Sequence, residues 1–212
     1  MNKWVVFPRY GFGSLLAGMV LILTVASFSG SSFEERLLER ISISLLLIAS
    51  VYLLSRKRHM LVLAALFSIP TLVTNWAAVV YSHSWLQLAD HVTNVIFFGY
   101  VTWCLLQQIF KAERVGTDTI MGSICIYLLL GFTWSFLYGA LAVVQPGAFA
   151  DMTAEQISTL VYFSFVTLST LGYGDILPVT RQAQMLAYSE ALTGQLYLAV
   201  LVARLVGLYR VK

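Results

Sequence analysis

The chain has 212 residues, of which 59% are hydrophobic and only 11% are charged, and its mean hydropathy is +0.81. Soluble domains carry about 25% charged residues, and a folded core cannot hide this much apolar surface from water. These values exclude a soluble protein and indicate an integral membrane protein. The formal net charge of +3 is too small to favour nucleic acid as a partner.

Apolar segments follow one another along the chain, and a helix needs about 20 such residues to cross a bilayer core. The predicted spans are residues 11–28, 37–55, 60–81 with a kink at Pro70, 88–110, 119–144 and 181–209. One further segment, residues 156–174, ends in Gly172, Tyr173 and Gly174, which is a poor end for a helix. No small-residue cleavage site follows the first span, so we predict no removable signal peptide.

The positions of lysine and arginine indicate whether segment 156–174 crosses the membrane, because these residues concentrate on the cytoplasmic side. If the segment does not cross and the N-terminus is cytoplasmic, ten basic residues lie inside and three outside. If it crosses, the division becomes eight and five. We therefore predict six spans, both termini in the cytoplasm, and a segment that enters from outside and returns. Irregular backbone at that depth has to be buried in protein or line a water-filled path.

Residues 167–175 read TLSTLGYGD and resemble the pore loop of tetrameric potassium channels, whose pattern is roughly T-x-T-T-V-G-Y-G-D. Four such loops around an axis stack rings of carbonyl oxygens that replace the water shell of a cation. The resemblance implies a homotetramer that conducts passively and performs no catalysis. It also implies potassium at residues 170–173 as the permeant ligand, with no cofactor. The filter residues that it identifies are Thr170, Leu171, Gly172, Tyr173 and Gly174.

Several residues around the filter differ from the family pattern. Many members brace the filter tyrosine with two pore-helix tryptophans, where this chain has Tyr162 and Phe163. Some carry a glutamate where this chain has Val166, so its contact with the acid after the filter is absent. Asp175 still supplies negative charge at the outer mouth. These differences put the stability of the conducting filter in question, but not its preference for cations.

Two residues of the last span stand out. Gly194 lies where the family's inner helix carries a gate hinge, although glycine equally serves close helix packing. Glu190 lies one turn earlier, and an ionisable group within a span is a functional candidate. Glu190 either lines a water-filled cavity as one of four carboxylates in a ring or lies behind the filter. We favour the second position, with Ser158, Thr159 or Tyr162 as its hydrogen-bond partner.

The predicted fold is an all-α membrane protein with two domains. Residues 1–112 form a four-helix membrane domain at the place of a voltage sensor, and residues 113–212 form the pore domain. Within the pore domain we predict an outer helix at 119–144, a pore helix at 156–169, the filter at 170–174 and an inner helix at 181–209. Voltage sensing requires several charges in the fourth span, yet no lysine or arginine occurs from Trp85 to Phe110. We therefore predict a channel without voltage sensing, whose first four spans are a scaffold or sense another stimulus.

Charged and thiol side chains outside the pore have simpler interpretations. Arg56, Lys57 and Arg58 either set the membrane topology or contact anionic lipid headgroups. The mixed charges from Glu34 to Arg40 predict a solvated start of the second span. The two cysteines, Cys104 and Cys125, lack the spacing of a zinc site and are expected to be buried as apolar residues.

Other functions stay open at this point. A non-conducting subunit that senses potassium or regulates another protein could keep the same filter. A secondary transporter is less favoured, because such proteins usually show internal repeats and we find no second pore-like loop in the first half of the chain. The last span ends close to Lys212, so we expect control by a separate regulatory protein rather than by a large cytoplasmic domain. The expected location is the cell membrane, either a bacterial inner membrane or a plasma membrane.

Overall fold

The computed structural model describes residues 11–28, 33–54, 58–81, 83–111, 116–151 and 157–209. These residues form seven α-helices and two very short β-strands, so the fold is all-α as predicted. In chain order the elements are α1 (Gly11–Phe28), α2 (Phe33–Leu54), α3 (Arg58–Val80), α4 (Ser84–Ile109), α5 (Thr117–Val144), β1 (Phe149–Ala150), α6 (Ile157–Leu168), β2 (Leu177–Pro178) and α7 (Arg181–Tyr209).

Five helices of the described chain are long and apolar enough to cross a bilayer, namely α2, α3, α4, α5 and α7. The apolar part of α1, Phe12–Val25, is shorter, and so is α6. Five of the six predicted spans therefore have a helix of membrane-crossing length, while the first has a shorter one. The chain is a multi-pass membrane protein.

The helices of the first half pack on the second half of their own chain. α4 lies between α3 and α5, and α1 contacts α2, α5 and α6. Aromatic rings fill the contact between α4 and α5, where Phe98 stacks on Phe136 with ring centroids 5.8 Å apart and planes 9° apart. Cys104 and Cys125 are both buried in this core, as predicted.

A buried polar cluster joins α2, α3 and α4. The Arg40 guanidinium forms an ion pair with the Asp90 carboxylate and donates to Asn75 Oδ1 over 3.0 Å. Asn94 donates its amide to Asp90 Oδ1 over 3.1 Å. The prediction of a solvated start of the second span is therefore wrong for Arg40, and also for Glu39, which is buried. Local charge pattern could not reveal the pair because Asp90 lies 50 residues further along the chain.

We expect Asp90→Asn to lower the thermal stability of the purified protein. The substitution leaves the Arg40 charge without its counter-ion, and breaking a buried pair in this way costs about 3–5 kcal/mol in soluble proteins. The double variant Arg40→Met/Asp90→Asn should unfold at a higher temperature than Asp90→Asn alone. Tryptophan fluorescence during heating in detergent measures the unfolding temperature of both variants. Lys111→Gln, at an exposed position, is the control. A double variant that unfolds at or below the temperature of Asp90→Asn would show that the two side chains are not coupled.

Candidate functional site

The loop between α6 and β2 has an unusual backbone. At Thr170, Gly172 and Gly174 the φ angle is positive, at 57°, 57° and 79°, whereas Leu171 and Tyr173 are not in this region. The sign of φ therefore alternates along residues 170–174. In an ordinary strand every φ is negative and the hydrogen-bonding groups alternate between the two sides. In this loop the alternating φ angles break that strand pattern. The alternation depends on the two glycines, because L side chains disfavour positive φ.

The C-terminal end of α6 holds the first half of this loop. The N–H groups of Leu171 and Gly172 both donate to the Val166 carbonyl, over 2.9 and 3.3 Å. The Thr170 N–H donates to the Thr167 carbonyl over 2.9 Å. These bonds use carbonyls that the last turn of a helix otherwise leaves without a partner. The position of the loop therefore follows the position of α6, and Val166 contributes through its backbone.

A small ribbon ties the second half of the loop to the segment after α5. β1 and β2 pair antiparallel, with Phe149 opposite Pro178. The Val179 N–H donates to the Ala148 carbonyl over 2.9 Å. We did not predict this ribbon, because two residues are too few for the alternating pattern that marks a strand.

Tyr162 contacts the acid that follows the loop. Its hydroxyl donates to Asp175 Oδ2 over 2.6 Å. This hydrogen bond lowers the pKa of the Asp175 carboxyl below its ordinary value, because it stabilises the charged form. Asp175 is exposed, so its negative charge lies at the open end of the loop.

Phe163 occupies a different place from the one expected of a brace for Tyr173. Its ring packs with Tyr138 and Phe149, at centroid distances of 4.8 and 5.5 Å. Tyr173 is 67% exposed and has no ring contact within the described part of the chain. Phe163 lies on the side of α6 that faces away from the loop. Its ring therefore packs α6 against α5 and β1 and does not support Tyr173.

Glu190 joins three helices behind the loop. Its side chain is fully buried in the chain. The carboxylate accepts the hydroxyl of Tyr138 on α5, and its Oε1 lies 2.5 Å from Ser164 Oγ on α6. The same Ser164 oxygen lies 2.7 Å from the Gly131 carbonyl. The structure therefore places Glu190 between α5 and α6, buried within the chain and not open to solvent.

The partners of Glu190 differ from the predicted ones, which were Ser158, Thr159 and Tyr162. The reason is the register of the two helices. Gly194 contacts Leu168 at the end of α6, so Glu190, one turn earlier on α7, lies level with Ser164, one turn earlier on α6. Single-sequence patterns do not reveal such a register.

Gly194 allows α7 to approach the end of α6. A Cβ atom at this position would lie 2.3 Å from the Leu168 carbonyl oxygen, which is too close for any side chain. Helix α7 runs without interruption through Gly194. Close packing therefore requires glycine here, and the gate hinge stays a prediction.

The remaining predictions are a lipid-contact site and the binding of a metal ion. Arg56 and Lys57 lie outside the described residues, and Arg58 is exposed at the start of α3. In the described part of the chain, no three His, Cys, Asp or Glu side chains lie close enough together to hold a metal ion. A cation at the loop would instead meet backbone carbonyls and the Thr170 hydroxyl.

Residues 122–210, from α5 through α7, match the family described as ion channel. Over these residues the chain is similar to the ion channel family. This similarity indicates a channel rather than an enzyme. The matched segment includes the loop at 170–174 and all the contacts that hold it to α5, α6 and α7.

Curated relatives include potassium channels. The voltage-gated potassium channel Kch of Escherichia coli (strain K12) is 28% identical over 185 residues, which are 85% of this chain and 36% of Kch. Two pore potassium channel c of Oryza sativa subsp. japonica is 35% identical over 83 residues, 38% of this chain and 17% of that protein. Protein LctB of Bacillus caldotenax is 25% identical over 122 residues, 54% of this chain and 90% of LctB.

These matches confirm the resemblance to the potassium channel family that residues 167–175 indicated. The chain spans only about a third of Kch and less of the plant channel. No solved structure matches the chain significantly.

We expect Tyr162→Phe to raise the pKa of Asp175, because the phenol that stabilises its carboxylate is lost. The charge of Asp175 is present above its pKa and is lost as the pH falls through it, so the variant should lose this charge at a higher pH. Carbon-13 NMR titration of aspartate-labelled protein measures the midpoint, and Asp175→Asn identifies the signal. An identical midpoint in the wild-type protein and Tyr162→Phe would contradict the hydrogen bond.

Proposed function

We propose that this chain forms a homotetrameric, potassium-selective channel in which four copies of residues 170–174 surround the conduction path. The alternating sign of φ in this loop supports the proposal most directly, because it lets consecutive carbonyls face one side. Four such loops offer stacked rings of oxygen that replace the water around a potassium ion. Ions then pass by mutual repulsion between neighbouring sites. The potassium channels among the relatives agree with this reading.

Assembly into a tetramer explains the exposed apolar surface around the loop. One chain supplies one loop, and Leu171 and Tyr173 are 55% and 67% exposed within it. Other exposed apolar residues repeat every three or four positions along α7 and form a stripe: Met185, Tyr188, Leu192 and Leu196. Copies of the chain around a common axis would cover the loop side chains, and the stripe would face the axis or the neighbouring copies.

The contacts between the end of α5 and the start of α7 support six spans and a re-entrant segment. The end of α5 and the start of α7 lie together, since Thr180 donates its hydroxyl to Gln145 Oε1 over 3.3 Å and β1 pairs with β2. The segment that contains α6 and the loop therefore begins and ends on one side. In this reading α1 is the first span, both termini are cytoplasmic, and the protein lies in a bacterial inner membrane or a plasma membrane.

The first four helices act as a scaffold without voltage sensing. Helix α4 contains no lysine or arginine. Arg40 is held in the ion pair with Asp90 and does not belong to a row of charges. Arg204 of α7 donates to the carbonyls of Ile109 and Phe110 at the end of α4. Anionic lipid near Arg58, or a separate regulatory protein, could act on α7 through this contact.

Flux of potassium and sodium into liposomes that contain purified protein tests the proposed function. We expect potassium to enter and sodium to be excluded. Gly172→Ala should abolish the flux, because a Cβ at φ 57° costs roughly 1–2 kcal/mol in each of four subunits. The matched control is Gly99→Ala on α4, where an added Cβ has no neighbour within 4 Å. This control should conduct like the wild-type protein.

Three results would contradict the proposed channel. Equal sodium and potassium flux would show that the loop does not select. Flux that saturates as in a carrier would favour a secondary transporter. A folded tetramer that binds potassium without any flux would favour a non-conducting, potassium-sensing subunit.

A further inference from the structure

Gln195 is placed beside the filter by its neighbour on α7. The Gly194 backbone lies against the Leu168 carbonyl, where the pore helix ends. This approach brings the next side chain, Gln195, to the start of the loop. Its amide Nε2 donates to Thr170 Oγ1 over 3.2 Å. An inner-helix side chain thus contacts the first filter residue directly.

Thr170 needs such support because its backbone is strained. It is β-branched and has a φ of 57°, a combination that is a clear outlier for a side chain of this type. Backbone of this kind persists only where its surroundings hold it, and it is concentrated at functional sites. The Thr170 N–H is held by the Thr167 carbonyl, and its hydroxyl is held by Gln195. The two contacts fix the residue from opposite helices.

We propose that Gln195 is a positioning residue that sets the cation affinity of the filter site nearest to α6, by orienting the Thr170 hydroxyl. The proposal rests on the proposed function of the loop. A threonine oxygen has two acceptor positions and one proton. The Gln195 amide occupies one acceptor position, and the other stays available to a dehydrated cation. Four such pairs in a tetramer would supply four oriented hydroxyl oxygens to one ion.

The test uses barium, a divalent cation close to potassium in size, because it binds strongly where potassium-sized sites of oxygen exist. Calorimetry on the purified tetramer measures its affinity whether or not the protein conducts. Gln195→Ala removes this hydrogen bond in all four subunits, so barium binding should weaken at least about tenfold. Gln182→Ala, an exposed glutamine in the first turn of α7, is the matched control and should bind barium like the wild-type protein.

A second variant separates positioning from a merely structural role. Thr170→Val keeps the branched shape but removes the hydroxyl. In that background, Gln195→Ala should cause no further loss of barium affinity, because its effect passes through the missing oxygen. Equal losses in both backgrounds, or wild-type affinity in Gln195→Ala, would overturn the proposal.

The two proposals fail in different ways. If potassium flux is selective but Gln195→Ala leaves barium affinity unchanged, only the role of Gln195 is wrong. If the wild-type tetramer binds no barium, the site at Thr170 does not exist and the role of Gln195 is also wrong. The liposome flux then shows separately whether the channel function survives.

Discussion

The arrangement of α5, α6 and α7 depends on the hydrogen bonds of one buried carboxyl group. Glu190 lies on α7, accepts the Tyr138 hydroxyl of α5 and contacts Ser164 of α6. Removing an ionisable group from water is costly unless polar partners satisfy it, and here a partner comes from each neighbouring helix. The contact therefore holds only when all three helices are in place. It makes the position of α6 conditional on both α5 and α7.

The loop at 170–174 takes its position from that arrangement. Its first amides donate to Val166 at the end of α6, and its far end is tied to the segment after α5 through β1 and β2. Between these two supports the backbone adopts alternating φ angles that residues 170–174 would not prefer on their own. A shift of α6 by a fraction of an ångström would move the carbonyls of this loop. Strain at the loop is thus offset by packing and hydrogen bonds behind it.

The face of α7 that carries these contacts follows helical spacing. Glu190 and Gly194 are one turn apart, and Tyr197 follows with a hydrogen bond of 2.7 Å to the Ser123 carbonyl of α5. Arg204 continues the same side of the helix and reaches the end of α4. The contacts along this face of α7 therefore reach different parts of the chain. A movement of α7 would therefore act on the loop at 170–174 and on the end of α4.

Local sequence was sufficient to predict the helices but not the β1–β2 ribbon or the contacts between the helices. The pore loop was recognisable because Gly172 and Gly174 permit a backbone that other residues resist, and the apolar runs marked the helices. The first predicted span stays a prediction, because the apolar part of α1 in the described chain, Phe12–Val25, is shorter than the other spans. The pair Arg40–Asp90 and the partners of Glu190 depend on helix register and on residues far apart in the chain. A single sequence contains no signal for either.

The ratio of potassium to sodium flux in two variants of Glu190 tests the central claim most directly. Glu190→Gln keeps a polar group of the same shape between Tyr138 and Ser164, whereas Glu190→Leu leaves both hydroxyls without this partner. If the buried contact holds the filter, the glutamine variant keeps potassium selectivity. The leucine variant loses it while still forming a tetramer. Wild-type selectivity in Glu190→Leu would contradict this account, because the filter would then hold its shape without the contact behind it.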